Sequence, residues 1–239
     1  MVTRTAVAIV TGSAGGIGLA TLRRAAELGY VAVGWDLASE RPDAGAAGAS
    51  GGRALDVDVR DRSAVDSAVE EIEREIGPIA VAVGAAGALD ERPFGSLDDA
   101  LWSATLGLHL GGTRNLVVSV AGRMMTRREG AIVAISSELA FLGAEEHVHY
   151  VAAKAAVVGF VRAAARELAG AGVRVNCVAP GPTDTPLLGP SGREPEYVRS
   201  IPLGRLGRAE DVAVAVMDVA RWEWSTGQLY GVNGGAVIR

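Results

Sequence analysis

The sequence predicts an α/β protein built on one doubly wound sheet of about seven parallel strands, with helices on both faces. Three observations predict this fold class. Short apolar, β-branched runs alternate with segments of helical periodicity along the chain. A glycine-rich turn joins the first apolar run to the first helical segment. Residues able to bind a ligand recur directly after the strands, where open parallel sheets bind their ligands.

Residues 1–239 are expected to form one domain, because no linker or internal repeat interrupts the alternation. A hydrophobic content of 49% suffices for a buried core, and the net charge of −5 comes without a basic face for nucleic acid. No apolar run approaches the ~18 residues of a membrane span. The single cysteine, Cys177, lies in an apolar run and is typical of a core thiol in a reducing compartment. We therefore expect a cytoplasmic protein that binds neither nucleic acid nor a membrane.

The predicted strands are short apolar runs bounded by turn residues: Ala6–Val10, Tyr30–Trp35, Arg53–Val57, Ile79–Val83, Ala131–Ile135, Val173–Val178 and Gln228–Val232. The predicted helices show apolar residues at helical spacing: Leu19–Leu28, Ser63–Ile76, Leu97–Met125, Tyr150–Ala169 and Glu210–Ala220. Two points stay open: whether Leu97–Met125 is one helix or two, and whether Ser39–Gly52 is a loop or a frayed helix. Either Asp61 or Ser63 is expected to cap the second helix. Residues 186–202 are expected to form a loop or lid over the substrate.

The glycine-rich turn after the first strand predicts a dinucleotide site. Gly12 allows the tight bend, Gly16 lets the backbone approach a pyrophosphate, and Gly18 lets the helix pack closely on the strand. The exposed amides and the positive end of the helix suit the phosphates. Ser13 and Ile17 belong to the same turn and are expected to contact the cofactor.

The acid at the end of the second strand, Asp36, follows the glycines at the distance typical of a ribose-binding residue. A carboxylate there accepts hydrogen bonds from both ribose hydroxyls of NAD and repels the 2′-phosphate of NADP. NAD is therefore the predicted cofactor.

Tyr150 and Lys154 form the central pair of the sequence. Lys154 is the only lysine, so every other basic side chain is an arginine, which stays charged and is a poor partner for proton transfer. A spacing of four places the two side chains on one helix face. A fixed ammonium lowers the pKa of a tyrosine from ~10 by roughly one to three units. The pair predicts a general acid/base usable near neutral pH, although the spacing alone also suits an ordinary exposed helix.

Together these motifs resemble the short-chain dehydrogenase/reductase family of the ordinary single-domain kind, which has a Rossmann fold. Thr11–Gly18 resembles its cofactor motif, and Tyr150 with Lys154 resembles its catalytic motif. Ser137 stands thirteen residues before Tyr150, the family's usual separation. Two further segments match: Pro180-Gly181 and Thr226-Gly227-Gln228.

The resemblance implies a role for each of these residues. Tyr150 gives or takes the proton at the substrate oxygen, and Ser137 hydrogen-bonds that oxygen. Lys154 holds the nicotinamide ribose and lowers the pKa of Tyr150, while the nicotinamide carries the hydride. Ser136 is the alternative to Ser137. Further cofactor contacts are implied by position: Asp58, Val59, Ala86, Gly87, Pro180, Gly181, Thr183 and Thr185.

Two positions depart from the family pattern. Where the family has Asn-Asn-Ala-Gly, this chain has Gly84-Ala85-Ala86-Gly87, which lacks the side-chain amides that tie neighbouring strands together. The family's fourth catalytic residue, an asparagine that holds a water beside the lysine, falls on His109. Either His109 preserves that relay, since a histidine binds water and shuttles protons near neutral pH, or it only fills the space. Impaired catalysis is the third interpretation.

Substrate contacts are expected from the segments after strands four to six: Leu89, Glu138, Leu139, Leu142, His147, Pro182, Leu187 and Tyr197. Their mostly apolar character suggests a modest ketone or secondary alcohol. No histidine and carboxylate set has metal-ligand spacing, so no catalytic metal is predicted.

The leading prediction is an NAD-dependent oxidoreductase that interconverts a secondary alcohol and a ketone. The resemblance also implies a homotetramer or homodimer packed through the helices at Leu97–Met125 and Tyr150–Ala169. The first alternative is a 3-oxoacyl-thioester reductase, which Asp36 disfavours because those enzymes generally use NADPH. The second alternative is a non-catalytic NAD-binding regulator, suggested by Gly84-Ala85 and His109.

Overall fold

Strands and helices alternate in a computed structural model that describes residues 6–37 and 53–238. The first half contains β1 Val7–Thr11, α1 Gly16–Glu27, β2 Val31–Asp36, β3 Arg53–Asp56, α2 Arg62–Glu75, β4 Ile79–Gly84, α3 Asp99–Leu106 and α4 Gly112–Arg127. The second half contains β5 Gly130–Ile135, α5 Leu139–Leu142, α6 Val148–Leu168, β6 Val173–Pro180, β7 Thr183–Asp184, α7 Pro195–Ser200, β8 Gly207–Arg208, α8 Ala209–Arg221 and β9 Leu229–Val232. The sequence predicted either a loop or a frayed helix at Ser39–Gly52, and this segment lies outside the described residues.

Seven strands form one sheet in the order β3-β2-β1-β4-β5-β6-β9, and every neighbouring pair is parallel. The strand order reverses at β1, which lies between β2 and β4. Sheets of this kind open a crevice at that point, beyond the carboxyl ends of the strands. The predicted fold class, a doubly wound Rossmann fold with about seven parallel strands, is confirmed.

The two faces of the sheet are covered by different helices, and the side chains of β1 alternate between them. Val7 and Ile9 belong to a core shared with α2, α4 and α6, whereas Ala8 and Val10 belong to a core shared with α1 and α8. A parallel strand buried on both sides needs apolar residues at every position, which explains why β1 reads as a continuous apolar run.

The segment predicted as one helix or two is a single helical path with a π-helical turn, Gly107–Gly111, between α3 and α4. Glycines lower helix stability, and this turn begins and ends with one. Single π turns insert an extra residue into a helix and occur often at functional sites. His109 lies in the middle of this turn.

The helix α6 is long and rich in apolar residues. Its continuation Val148–Ala171 is long and apolar enough to cross a membrane by length and composition, the one such stretch in the described parts of the chain. The expectation that no apolar run approaches the length of a membrane span is therefore wrong. Because Tyr150, Val157 and Val161 are buried and α6 packs on β6, we interpret it as a core helix. Asp61 caps α2 by accepting hydrogen bonds from the backbone of Ser63 and Ala64.

The region expected to form a lid is closed at its base by a pair of two-residue strands. Thr183 and Asp184 of β7 pair with Gly207 and Arg208 of β8. Between them, the chain forms a short 3₁₀ turn and α7. Two-residue strands carry no periodic signal, so sequence patterns do not reveal them.

Candidate active site

The glycine turn is built by backbone contacts that leave no room for side chains. Gly12 has a φ of +67°, and a Cβ there would lie 2.8 Å from backbone atoms of Ala85 and Ala86. A Cβ on Gly18 would lie 1.9 Å from the carbonyl oxygen of Gly12. The N-cap of α1, Gly15, makes no side-chain capping hydrogen bond. The first amides of α1 are therefore available to an anion.

A threonine ties the carboxyl ends of β1 and β4 together. Thr11 Oγ1 accepts hydrogen bonds from the backbone amides of Ala85 and Ala86, each at 3.0 Å. A second tie comes from buried Asn115, whose amide donates to the carbonyl oxygens of Val59 and Arg60. Thr11 thus joins the ends of β1 and β4 although Gly84-Ala85 carries no side-chain amide, and Asn115 joins α4 to the loop after β3. Sequence reasoning missed both residues, because neither stands where the amides were expected.

Two backbone amides hold Asp36 in place. Ala14 in the glycine turn donates to its Oδ2 at 2.7 Å, and Leu37 donates to its Oδ1 at 2.9 Å. The carboxylate is half-buried and lines the same cavity as the glycine turn. It is thereby oriented at the end of β2, with lone pairs left for further donors.

The loop after β3 places Asp58 and Val59 at the cavity, together with Arg60. The Arg60 guanidinium hydrogen-bonds both carboxylate oxygens of Asp58, at distances of 2.6 to 3.0 Å. This hydrogen bonding holds the pKa of Asp58 below its ordinary value. Sequence reasoning missed Arg60, which neutralises Asp58 at this end of the cavity.

Tyr150 and Lys154 lie together on the inner face of α6, and both are buried. The ammonium of Lys154 sits 5.6 Å from the centroid of the Tyr150 ring. Its Nζ donates a hydrogen bond to the carbonyl oxygen of Ile135, at the end of β5, at 2.9 Å. The Ser137 side chain lies close enough to Tyr150 to influence the pKa of its hydroxyl group. The structure thus brings the three residues into one cluster.

Burial decides the acid–base character of this cluster. It raises the pKa of Tyr150 to about 12, and the neighbouring Ser137 side chain opposes the rise. It lowers the pKa of Lys154 to about 8. The expectation that the pKa of Tyr150 is lowered is therefore wrong for the protein alone, because the loss of solvation outweighs the opposing effect of Ser137.

The two adjacent serines differ in what they bind. Ser136 Oγ donates a hydrogen bond to the carbonyl oxygen of Lys154 at 2.9 Å, and the residue is 2% exposed. Its hydroxyl group is therefore already bound to the backbone of α6. Ser137 Oγ accepts from the amide of Leu139 at 3.2 Å and contacts Tyr150. The geometry favours Ser137 over Ser136 as the hydroxyl that faces a ligand.

His109 lies behind the tyrosine. Its ring stands edge-on to the ring of Tyr150, with centroids 5.2 Å apart, and Nε2 is 2.9 Å from the carbonyl oxygen of Ala88. A carbonyl only accepts, so in the neutral ring Nε2 carries the proton and Nδ1 is an acceptor. That Nδ1 is buried without a partner in the described structure. Burial and the charge of Lys154 lower the pKa of His109 to about 3, so the expected titration near neutral pH is wrong.

One cavity of about 1080 Å³ connects these groups. Of the predicted site residues, those that line it are Gly12, Gly16, Ile17, Gly18, Asp36, Asp58, Val59, Ala86, Gly87, Leu89, His109, Ser137, Glu138, Leu139, Leu142, His147, Tyr150, Lys154, Pro180, Gly181, Pro182, Thr183, Thr185, Leu187 and Tyr197. Ser13 does not line it. Its side chain fills the space beside Gly34, where a Cβ would lie 2.5 Å from the serine Oγ.

The end of the cavity near Ser137 carries acidic groups. Glu138 is 4% exposed, and burial raises its pKa to about 7. Glu91, which sequence reasoning missed, lines the same cavity, and its Oε1 is 3.9 Å from Nε2 of His147. Tyr197 reaches this end from α7, and its pKa is raised by burial and by the charge of Glu138. No three histidine, cysteine or carboxylate residues of the described chain are grouped to hold a metal ion.

Comparison with known proteins places these features in context. Residues 6–196 match the short chain dehydrogenase family. The 3-oxoacyl-[acyl-carrier-protein] reductase FabG of Thermotoga maritima is 36% identical over 241 residues, covering 97% of this chain and 98% of the relative. The cis-4-hydroxycyclohexanecarboxylate dehydrogenase of Sinomonas cyclohexanicum is 38% identical, covering 96% of this chain and 95% of the relative. A crystal structure named ribose-5-phosphate isomerase, from Brucella melitensis, has a TM-score of 0.87 and 32% identity, covering 97% of this chain and 92% of its own.

Proposed function

Because this chain belongs to the short-chain dehydrogenase/reductase family of oxidoreductases, we propose that it interconverts a secondary alcohol and a ketone with NAD(H). The family binds a nicotinamide cofactor and acts on small molecules. The observation that carries the proposal is the buried cluster of Ser137, Tyr150 and Lys154 in the wall of the cavity that the glycine turn also lines.

The residues at the glycine turn fit a dinucleotide. The uncapped start of α1 offers backbone amides to a pyrophosphate. A Cβ on Gly16 would crowd Thr185 at 3.3 Å, so the glycine keeps this side of the turn open. Asp36 would hold the adenosine ribose, and Lys154 would hold the nicotinamide ribose. When bound, the nicotinamide supplies or accepts the hydride.

The protein's own groups manage the proton at the substrate oxygen. Tyr150, with its pKa near 12, is protonated at neutral pH and donates its proton when a ketone is reduced. In the oxidation direction, Tyr150 first gives its proton to solvent, and the ammonium of Lys154 favours the phenolate that this leaves. The phenolate then takes the alcohol proton and becomes the phenol again. Ser137 donates a hydrogen bond to the oxygen as it gains negative charge.

The preference for NAD over NADP is part of the proposal. Asp36 is fixed by two backbone amides and points its charge toward the place of the ribose. Arg60 is the positively charged side chain that lines the cavity at the end of the glycine turn, and it already forms an ion pair with Asp58. A 2′-phosphate would therefore meet an uncompensated carboxylate.

His109 is proposed to preserve a relay from Lys154 to solvent as a neutral ring. With Nε2 donating to Ala88, the unpartnered Nδ1 accepts a hydrogen bond from a water beside the cluster. The ring does not need to become charged for this role. The competing interpretation is that His109 only fills space between Gly87 and Tyr150.

A 3-oxoacyl-thioester reductase remains the second candidate function. It is favoured by FabG relatives that are 36% and 32% identical, from Thermotoga maritima and Escherichia coli. The acidic end of the cavity near Ser137, the substrate end, argues against it because a phosphate-bearing acyl carrier is negatively charged. Asp36 also argues against it, because the 2′-phosphate of NADPH is negatively charged.

A side-by-side assay tests the proposal. Ketones, secondary alcohols and acetoacetyl-CoA are offered with NAD(H) and with NADP(H). Turnover of a simple ketone or alcohol with NAD(H) at higher kcat/KM than any thioester with NADPH supports it. Faster reduction of acetoacetyl-CoA with NADPH favours the second candidate, and cofactor binding without any turnover favours a non-catalytic regulator.

A further inference from the structure

Glu138 is a buried acid that the chain leaves without a partner. Its Oε2 has no hydrogen-bond donor among the described residues, and its side chain is 4% exposed. The main chain at this position is fixed, because its amide donates to the carbonyl oxygen of Pro180 at 3.0 Å. An enclosed carboxyl group without a partner is costly, so such groups in native proteins call for an explanation.

The surroundings of Glu138 contain acids but little positive charge. Glu91 lines the same cavity, and its Oε1 accepts a hydrogen bond from the Ser191 hydroxyl group at 3.4 Å. Among the residues that line this cavity, the two cations are Lys154 and Arg60. Lys154 donates to a backbone carbonyl, and Arg60 is paired with Asp58 at the end of the cavity near β3. The substrate end therefore repels anions and attracts donors and cations.

The position of Glu138 relates it to the reacting atoms. It follows Ser137 directly, and the Ser137 side chain lies close to Tyr150. Both residues line the cavity. We therefore expect a ligand whose oxygen meets Ser137 and Tyr150 to extend along the cavity wall that Glu138 also lines.

We propose that Glu138 selects a substrate that carries a second hydroxyl group or a protonated amino group near its reacting carbon, and that its carboxylate accepts a hydrogen bond from that group. This inference rests on the proposed oxidoreductase function. It names a substrate class, the diols and amino alcohols with their ketones, and disfavours substrates whose second group is a carboxylate or phosphate.

The protonation of Glu138 adds a pH dependence to this selection. Burial raises its pKa to about 7, so it gains charge as the pH rises through neutrality. Tyr197 of α7 feels this charge, and the other titratable groups of the nearby wall are Glu91, His147, Tyr150 and Lys154. Affinity for a donor or cation should therefore increase from pH 6 to pH 8.

The test compares four ring alcohols with NAD: cyclohexanol, cyclohexane-1,2-diol, 2-aminocyclohexanol and cis-4-hydroxycyclohexanecarboxylate. The wild type should show a kcat/KM for the diol or amino alcohol roughly tenfold or more above that for cyclohexanol, since a hydrogen bond to a charged group has about this effect. The carboxylate should be the poorest substrate. Comparing the diol with the amino alcohol separates a hydroxyl partner from an ammonium partner.

Variants and binding measurements complete the test. Glu138→Gln, nearly the same in shape, should lose the preference, whereas Glu129→Gln, an exposed site after α4, should retain it. Equal kcat/KM for cyclohexanol and both substituted alcohols, or a preference that persists in Glu138→Gln, would overturn the proposal. If no ring alcohol is turned over, calorimetry of 2-aminocyclohexanol with the NADH complex still decides. An equal Kd for wild type and Glu138→Gln overturns the role of Glu138, whereas missing turnover alone counts against the oxidoreductase function.

Discussion

At the scale of single residues, burial shifts the pKa of both central side chains toward their neutral forms. Tyr150 is driven toward the neutral phenol, with a pKa near 12, and Lys154 toward the neutral amine, with a pKa near 8. The sequence revealed which residues meet, because a spacing of four on a helix fixes their proximity. It did not reveal the direction of the pKa shift of Tyr150, because desolvation depends on how the rest of the chain encloses the side chain.

Asp36 is predicted to set the choice of cofactor. Asp36→Asn keeps an acceptor for the amide of Ala14 and removes the charge. The ratio of kcat/KM with NADH to that with NADPH should fall by roughly tenfold or more, since charged hydrogen bonds to the ribose are lost and repulsion of the phosphate ends. Steady-state kinetics measure this ratio. Asp56→Asn, an exposed position paired with Asp36 in the sheet, is the matched control, and an equal shift in both variants would contradict the assignment.

Glu138 is predicted to make stability depend on pH. Its folded pKa of about 7 lies above the ordinary 4.5, so between these values the folded state binds more protons than the unfolded state. Its contribution to stability is then full below pH 4.5 and is lost as the pH rises through 7. Glu138→Gln cannot ionise, so relative to wild type it should gain roughly 2–3 kcal/mol in unfolding free energy between pH 5 and pH 8, at ~1.4 kcal/mol per pKa unit.

Urea denaturation at the two pH values measures this difference, with Glu129→Gln as the exposed control. The same difference between wild type and Glu138→Gln at pH 5 and pH 8 would show that the carboxyl group is not buried as a raised-pKa acid.

His109 is predicted to act as a neutral relay. With a pKa near 3, it should add no titration to the pH–rate profile between pH 6 and pH 9. His109→Ala should lower the oxidation rate by roughly a hundredfold, the lower range for a lost proton-transfer group, and His109→Asn should restore much of it by holding the water. An unchanged oxidation rate in His109→Ala would rule out the relay.

At the scale of elements, sequence periodicity predicted each long strand and helix of the described chain, with boundaries displaced by a few residues. The π turn Gly107–Gly111 and the two-residue strands β7 and β8 were not predictable. A π turn changes which face His109 occupies without altering the apolar pattern, and a two-residue strand has no pattern. The structural role of Thr11 was likewise not recognised, because it depends on the loop after β4 meeting the end of β1.

The outer face of α6 is predicted to pack against a second copy of the chain. Small residues recur there at helical spacing and are exposed: Ala155, Gly159 and Ala163. On α4, Val118 and Met125 are 44% and 40% exposed, which supports the proposed dimer or tetramer. A Cβ on Gly159 would meet no atom within 4 Å, so Gly159→Arg fits the single chain, favours the helix and blocks association.

Analytical ultracentrifugation should find a dimer or tetramer for wild type and a folded monomer for Gly159→Arg. Gly95→Arg, another open glycine, should assemble as wild type does. A wild-type monomer, or unaltered assembly of Gly159→Arg, would contradict this packing.

At the scale of the whole molecule, the parallel sheet explains why the site was largely predictable. All strands of the main sheet run the same way, so the residues that follow them gather at one edge: the glycine turn, Asp36, Gly87, Ser137 and Gly181. What the sequence could not give is the charge of the substrate end. Glu91 and Glu138 lie in separate segments, and only the folded chain shows that they line one cavity.

The central claim is that the buried pair of Tyr150 and Lys154 transfers the proton that accompanies hydride transfer in this cavity. The most direct measurement combines NADH binding, by fluorescence titration, with turnover of a ketone by wild type and Tyr150→Phe. The account predicts that both proteins bind NADH with similar Kd, and that kcat falls by roughly a thousandfold or more in Tyr150→Phe. Turnover by Tyr150→Phe at the wild-type rate, or failure of the wild type to bind NADH, would contradict it.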